Sequence, residues 1–272
     1  VVASHAPVAV IGGSGLYALF EGPNTRSEMV ATPYGTVELT RGELSGRPVV
    51  FLPRHGRDHS VPPHRINARA NIWALATVGA RAIISTAAVG AIATSHPVGS
   101  LSLVDQYIDR THGRADTFYD EDSVQHLGSA DPFCTTLHTI AAEALATDIR
   151  TGEVIDGGTV VVIQGPRFST RAESEWFRAA GAHLVNMTLY PEVPLAAELG
   201  IGTVALAFAT DNDATPSAEP VTAELVFARL AAARPRIIAA IERIARAIPE
   251  DYAMAELIDA EAVAAVLARP TR

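Results

Sequence analysis

Arg54-His55-Gly56-Arg57-Asp58-His59 sets two arginines and two histidines within six residues, directly after the apolar run Val49–Leu52 and Pro53. A guanidinium grips phosphate through paired N–H bonds, and a histidine ring can donate to the same anion or line a sugar pocket. Metal ligation by His55 and His59 at i,i+4 spacing needs a helix, which Pro53 and Gly56 disfavour. Gly12-Gly13-Ser14-Gly15 closes another apolar run. Its glycines permit close backbone approach, so successive N–H groups can converge on an anion, with the Ser14 hydroxyl adding a donor. It is neither a Walker A loop nor a GxGxxG fingerprint. In the segment from Gln164 to Arg171, Gly165-Pro166 fixes a turn and Phe168 offers a plate for a flat base. Ser169 or Thr170 caps the following helix, with Glu173 placed for a capping box. Asn186-Met187-Thr188 and Thr210-Asp211-Asn212-Asp213 both end apolar runs, and a carboxylate in such a place suits general-acid work. Taken singly, each phrase also has a structural reading: a tight turn, a solvated loop or a helix cap. No Gly-x-Ser-x-Gly elbow is present, which weakens an acyl-transfer reading.

The elements that position these loops alternate. Short apolar strands are expected at Val8–Ile11, Val49–Leu52, Arg81–Thr86, Leu101–Val104, Gly158–Ile163, Leu184–Met187 and Thr203–Thr210. Between them, Ile66, Ala70, Trp73 and Thr77 recur at helical spacing, with Gly79 as a C-cap signal. Thr135–Thr147, Arg171–Ala180 and Pro191–Leu199 also read as helices. The span from Val221 to Ile248 is an amphipathic helix that Pro235 breaks or kinks. Near-continuous apolar strands alternating with helices imply an α/β fold with a central mixed, largely buried sheet flanked by helices. With no repeat, linker or composition shift, residues 1–272 are expected to form one domain, with 221–272 a C-terminal helical segment.

Composition narrows the partners. The 272 residues carry a formal net charge of -9, and all 21 basic residues are arginine. That balance argues against nucleic acid or an anionic membrane as a partner, and the lack of lysine removes Schiff-base chemistry. A single cysteine, Cys134, excludes an internal disulfide and a multi-cysteine metal site. Residues 1–7 lack a leader-like pattern, and no apolar stretch reaches the roughly 20 residues of a membrane helix. A soluble protein of the reducing cytoplasm is expected.

Together the phrases resemble the methylthioadenosine phosphorylase branch of the trimeric purine nucleoside phosphorylase family, from Val8 to Asp213 and more weakly beyond. The resemblance rests on Val10–Gly15, Thr32-Pro-Tyr-Gly35, Arg54-His-Gly56, Ala70–Leu75, Asp105-Gln106, Asp109-Arg-Thr111, Ala130–Cys134, Gly165–Ser169, Arg171–Ser174, Val185–Thr188, Pro191-Glu192 and Ala209–Asp211, all in the family's order. It implies that Ser14, Arg54, His55, the Ala87-Ala88 backbone and Thr188 hold phosphate. Met187 would lie under the ribose, with Phe168 and Val185 against the base. His59 and, from a neighbouring subunit, His126 would border the 5'-substituent, in a homotrimer or a dimer of trimers. Where the family commonly has Thr, this chain has Ala87, so one phosphate hydroxyl is missing.

The resemblance also frames the choice of base. An ionised Asp211 accepts from a 6-amino group, and a protonated one donates toward N7. The family marks 6-oxopurines by Asn at this position, often with Glu after the loop phenylalanine; here Asp211 and Ser169 stand instead, pointing to adenine. The implied reaction is phosphorolysis of 5'-methylthioadenosine through an oxocarbenium-like state, with Asp211 as general acid and Asp213 as auxiliary. Phosphate is a co-substrate, and no metal or organic cofactor is implied. The rival readings are a 6-oxopurine phosphorylase, an enzyme for adenosine or another 5'-modified 5'-deoxyadenosine, and a nucleoside-binding protein without catalysis.

Overall fold

The sheet takes its form from strands whose two faces are both buried. In the first, Val8 and Val10 point into one apolar layer while Ala9 and Ile11 point into the opposite one. The strand at Arg47–Pro53 repeats this, with Val49 and Phe51 on one side and Val50 and Leu52 on the other. Successive side chains on a strand face opposite ways, so an unbroken apolar run is what a sheet covered on both faces requires. The structure, a computed structural model, describes residues 6–19, 25–121, 123–212 and 222–271.

The strands are β1 (Val8–Gly12), β2 (Arg26–Thr32), β3 (Gly35–Leu44), β4 (Arg47–Pro53), β5 (Ala82–Ala91), β6 (Leu101–Val104), β7 (Gln106–Arg110), β8 (Val154–Asp156), β9 (Thr159–Ile163), β10 (Leu184–Asn186) and β11 (Gly202–Asn212). The helices are α1 (Ala68–Thr77), α2 (Thr135–Ala146), α3 (Arg171–Ala179), α4 (Leu189–Glu198), α5 (Ala223–Ala247) and α6 (Ala260–Leu267). One mixed sheet runs β2-β3-β4-β1-β5-β10-β9-β7, and β11 joins β5 to β6, which carries β8. Residues of α2 and α5 pack on one face, and residues of α1, α4 and α6 on the other. Among the described residues no helix is long and apolar enough to cross a membrane.

Several local expectations are corrected. Ile66 lies outside α1: Pro63–Arg65 form a 3-10 turn, and Asn67 caps the helix by accepting from Ala70 N at 3.1 Å. Gly158 turns at φ +140 and leaves β9 to begin at Thr159. Tyr190 and Pro191 have non-helical backbone, so the regular part of α4 starts at Glu192. Pro235 does not break α5, which runs 25 residues through it. Gly79 does sit just past the α1 C-cap at φ +86, the left-handed conformation that glycine adopts freely. The tail packs outside the sheet: Trp73 Nε1 donates to Val266 O at 3.2 Å and Arg269 to the Tyr34 hydroxyl at 2.6 Å.

One topological feature creates the opening for a ligand. β5 pairs with β1 from Ala82 to Ser85 and, on the same edge, with β10 at Gly90 and Ala91. Between those contacts Thr86–Val89 have no strand on that edge, while β11 follows the other edge along the whole of β5. Ligands of open α/β sheets enter where a strand changes neighbours in this way.

Candidate active site

Arg54 leaves β4 beside this gap, its backbone N–H donating to Gly12 O at 3.0 Å. Its side chain is 1% exposed and faces the carboxylate of Glu192, which is 6% exposed. Nε donates to Glu192 Oε2 at 2.7 Å and Nη2 to Oε1 at 2.9 Å. Nη2 also reaches Ser85 Oγ at 2.7 Å, and Nη1 reaches Thr86 O at 2.7 Å. Ser85 in turn donates to Glu192 Oε1 at 2.7 Å. Guanidinium has five N–H donors, so a single one, on Nη1, is left for a ligand. The bidentate fork expected to grip phosphate is closed on Glu192 instead. Gly13 makes room for it, because a Cβ there would stand 3.0 Å from Nη1 and 2.5 Å from Thr86 O.

His55 is buried, and Nδ1 lies 2.9 Å from Val61 O. A carbonyl only accepts, so Nδ1 carries the hydrogen and Nε2 presents a lone pair. Burial, reinforced by the Arg54 charge, lowers the ring's pKa to about 4, so it is neutral near pH 7. His55 Nε2 therefore accepts from a hydroxyl, such as one of a sugar, or from a protonated phosphate oxygen; of the two roles open to the ring, donation to an anion is the one this tautomer does not serve. His59, held at φ 57, packs 4.6 Å from the His55 ring and 5.3 Å from Phe227. Tyr17 meets His59 edge-on, with its hydroxyl 3.3 Å from Nδ1. Burial lowers the His59 pKa as well. His59 and Phe227, with Val226 from the first turns of α5, line one end of the cavity, and Tyr17 backs His59 from outside it.

The floor is built of small polar groups. Gly13 N–H is taken by the Thr86 hydroxyl at 2.9 Å, which itself donates to Ile11 O at 3.2 Å. Thr86 thus cannot replace the hydroxyl missing at Ala87, and the glycine loop offers fewer free N–H groups than its sequence implies. Ser14, half-buried, has no hydrogen-bond partner among the described residues and lines the cavity. Thr86 O and Ala88 O face the open edge of β5, where they accept from Arg54 and, at 3.4 Å, from Asn186 Nδ2. Strand geometry turns the Ala88 N–H to that same edge. Asn186 Oδ1 accepts from Thr188 N at 2.6 Å and Leu189 N at 2.8 Å, turning the chain so that Thr188 meets the cavity.

At the other end, β11, β5 and β10 lie side by side with Asp211 opposite Gly90 and Gly90 opposite Val185. Thr210 is an extra residue in β11, a bulge between Ala209 and Asp211, and bulges re-aim the side chains that follow them. Asp211 is 4% exposed, and its Oδ1 accepts from the Thr210 hydroxyl at 2.6 Å. Gly165, at φ +63, lets the Phe168 loop close on Met187, whose Sδ would stand 2.6 Å from a Cβ there. Thr170 and Glu173 form the expected capping box of α3. Phe168 remains 40% exposed at the rim, an open ring face for stacking.

The cavity encloses about 260 Å³ and brings together Ser14, Arg54, His55, His59, Ala87, Ala88, Phe168, Val185, Met187, Thr188 and Asp211. His126 is exposed and does not line it. Asp213 lies outside the described residues. Glu192, Tyr17 and Phe227 are additions. Glu192 carried a readable signal, a carboxylate amid apolar residues of α4, whereas the rings around His59 converge only through the fold. Among the described residues no group of three or more His, Cys, Asp or Glu is arranged to hold a metal ion.

Removing one partner of a buried ion pair leaves the other charge uncompensated. Glu192→Ala is therefore expected to lower the unfolding free energy by about 3–5 kcal/mol in urea denaturation. A loss below about 1 kcal/mol, the range of an exposed pair, would show that Arg54 does not depend on it.

A family model described as Phosphorylase superfamily matches residues 7–246. A purine nucleoside phosphorylase of Streptomyces coelicolor is 45% identical over 238 residues, 84% of each chain. An S-methyl-5'-thioadenosine phosphorylase of Mycobacterium tuberculosis is 46% identical over 245 residues, 88% of this chain and 89% of the relative. Methylthioadenosine phosphorylase from Schistosoma mansoni in complex with adenine superposes with a TM-score of 0.82 at 32% identity, covering 96% of this chain and 97% of that one. A methylthioadenosine phosphorylase from an antarctic soil metagenomic library gives a TM-score of 0.84 at 33% identity, covering 97% and 99%. The chain belongs to the phosphorylase superfamily, among its purine nucleoside and methylthioadenosine phosphorylases, and is an enzyme of the pentosyltransferase kind.

Proposed function

We propose that the enzyme cleaves 5'-methylthioadenosine with inorganic phosphate to adenine and 5-methylthioribose 1-phosphate. One observation carries the reading: a single cavity is lined by the buried Asp211, by His59, Val226 and Phe227, and by Ser14, His55, Ala88 and Thr188. Asp211 suits a 6-aminopurine, since it can accept from the amino group when ionised and donate to N7 when protonated. Val226 and Phe227 give a methylthio group apolar surface to pack on.

In this reading the purine stacks on Phe168 and packs against Val185, and Met187 lies beneath the ribose. Phosphate sits by the open edge of β5. It accepts from Ser14, Thr188, the Ala88 N–H and the one spare Arg54 N–H, and gives its own proton to a hydrogen bond with His55 Nε2. As the C1'–N9 bond breaks, its electrons pass into the base and Asp211 protonates N7; a phosphate oxygen then bonds to C1' on the opposite face. Held there, phosphate both stabilises the oxocarbenium-like sugar and attacks it. Asp213 is the auxiliary to Asp211. No metal or organic cofactor takes part. The active form is a homotrimer, in which an exposed His126 reaches the 5'-end of a neighbouring cavity. The enzyme works in the cytoplasm, in methionine and purine salvage.

Adenine release from methylthioadenosine and adenosine, and hypoxanthine release from inosine, each with and without phosphate, tests the reaction. The expected result is phosphate-dependent release that is fastest with methylthioadenosine. Preference for inosine would overturn the reading of Asp211, and release without phosphate would overturn phosphorolysis. Asp211→Ala is expected to lower kcat by roughly 10²- to 10⁴-fold, with the KM for phosphate little changed; unaltered turnover would remove the general acid. Ala87→Thr restores a hydroxyl beside Ser14. One added hydrogen bond of about 1 kcal/mol should lower the KM for phosphate roughly fivefold, and an unchanged KM would mean that residue 87 does not face the anion.

A further inference from the structure

The bulge that aims Asp211 needs a support that β5 does not supply. Thr210 has no partner in the register of β5, which passes from Val89 opposite Ala209 to Gly90 opposite Asp211. Its carbonyl instead accepts from Arg229 Nη1 at 2.6 Å. The Thr210 hydroxyl is buried between Asp211 Oδ1, at 2.6 Å, and Val89 O, at 3.3 Å. Arg229 is half-buried on α5, does not line the cavity, and lies three residues after Val226, which does. Residues three apart share one face of a helix. The same face of α5 therefore forms the apolar wall at one end of the cavity and holds the peptide next to the carboxylate at the other.

We infer that Arg229 is a positioning residue that fixes the Thr210 bulge and so sets the reach of Asp211 to the base. The inference rests on the proposed general-acid role of Asp211. Arg229 does not line the cavity, and its hydrogen bond to the Thr210 carbonyl gives it a route to turnover through the bulge peptide. A bulge peptide released from its guanidinium can relax, and displacements near 1 Å cost roughly a hundredfold in rate.

The test measures kcat and both KM values for Arg229→Met and Arg229→Lys, alone and combined with Asp211→Ala, with methylthioadenosine and phosphate as substrates. Arg229→Met is expected to lower kcat by roughly ten- to a hundredfold while the KM for phosphate holds. Arg229→Lys, which keeps a charged N–H donor, should recover most of that loss. In the Asp211→Ala background the Arg229→Met change should add nothing, because two residues that act as one unit give non-additive losses. Losses that multiply in the double variant, or wild-type kcat in Arg229→Met, would overturn the inference. Should Arg229→Met fail to fold by circular dichroism, Arg229→Gln takes its place with the same expectations. An Asp211→Ala enzyme with unaltered kcat would sink the general-acid reading itself, a result recognisable without any Arg229 variant.

Discussion

The buried pair of Arg54 and Glu192 is the constraint on which the site depends. It ties the end of β4 to the start of α4, two segments 138 residues apart in the chain, through hydrogen bonds of 2.7 and 2.9 Å. Such a pair is a poor source of net stability, because desolvating two charges costs about what their attraction returns. Its effect is geometric. With Ser85 and the Thr86 carbonyl also engaged, the guanidinium holds open the stretch of β5 from which β1 has departed and which β10 has not yet reached. Close the pair differently, and the floor of the cavity moves with it.

The two irregularities of the sheet divide the work. The gap on β5 exposes main-chain groups of Thr86 and Ala88, which suits an anion bound by dipoles. The bulge in β11 turns Asp211 toward the same opening from the other edge. Neither would form on a flat, fully paired sheet, and side-chain hydrogen bonds hold both: Asn186 bonds Ala88 O beside the gap, and Thr210, the bulged residue itself, bonds Val89 O. The cavity is a defect in a regular sheet, stabilised by the polar side chains around it.

Much of this was legible because burial on both faces leaves a plain record. Val8–Ile11 and Val49–Leu52 read as strands since every position is apolar, and the loops after them carried the arginine, histidines and serine of the site. β2, with its largely exposed and mixed residues, and the partly exposed β7 left no such record. The partner of Arg54 was less readable than Arg54 itself, because a motif shows which residue can bind an anion but not what it already binds. The same limit applies to His55, whose hydrogen is fixed by Val61 O, a main-chain atom with no sequence signature. The positive φ of His59 and the bulge at Thr210 likewise come from tertiary context, which local propensity does not encode.

These corrections change the electrostatics of the proposed reaction. Among the described residues Arg54 is the only arginine lining the cavity, and Glu192 already balances its charge; His55 is neutral. Phosphate would then be held by hydroxyl and N–H dipoles with one spare guanidinium hydrogen, and it would keep most of its negative charge. For a reaction through a sugar cation that is an advantage. A phosphate neutralised by several cations would bind tightly in the ground state and lose both its nucleophilicity and its field at C1'. Only interactions stronger in the transition state speed the chemistry, and here the attraction between a charge-retaining phosphate and the oxocarbenium arises as the glycosidic bond opens. The missing hydroxyl at Ala87 fits the same logic: a weaker hold on the anion costs affinity, while the field that the developing cation feels is preserved.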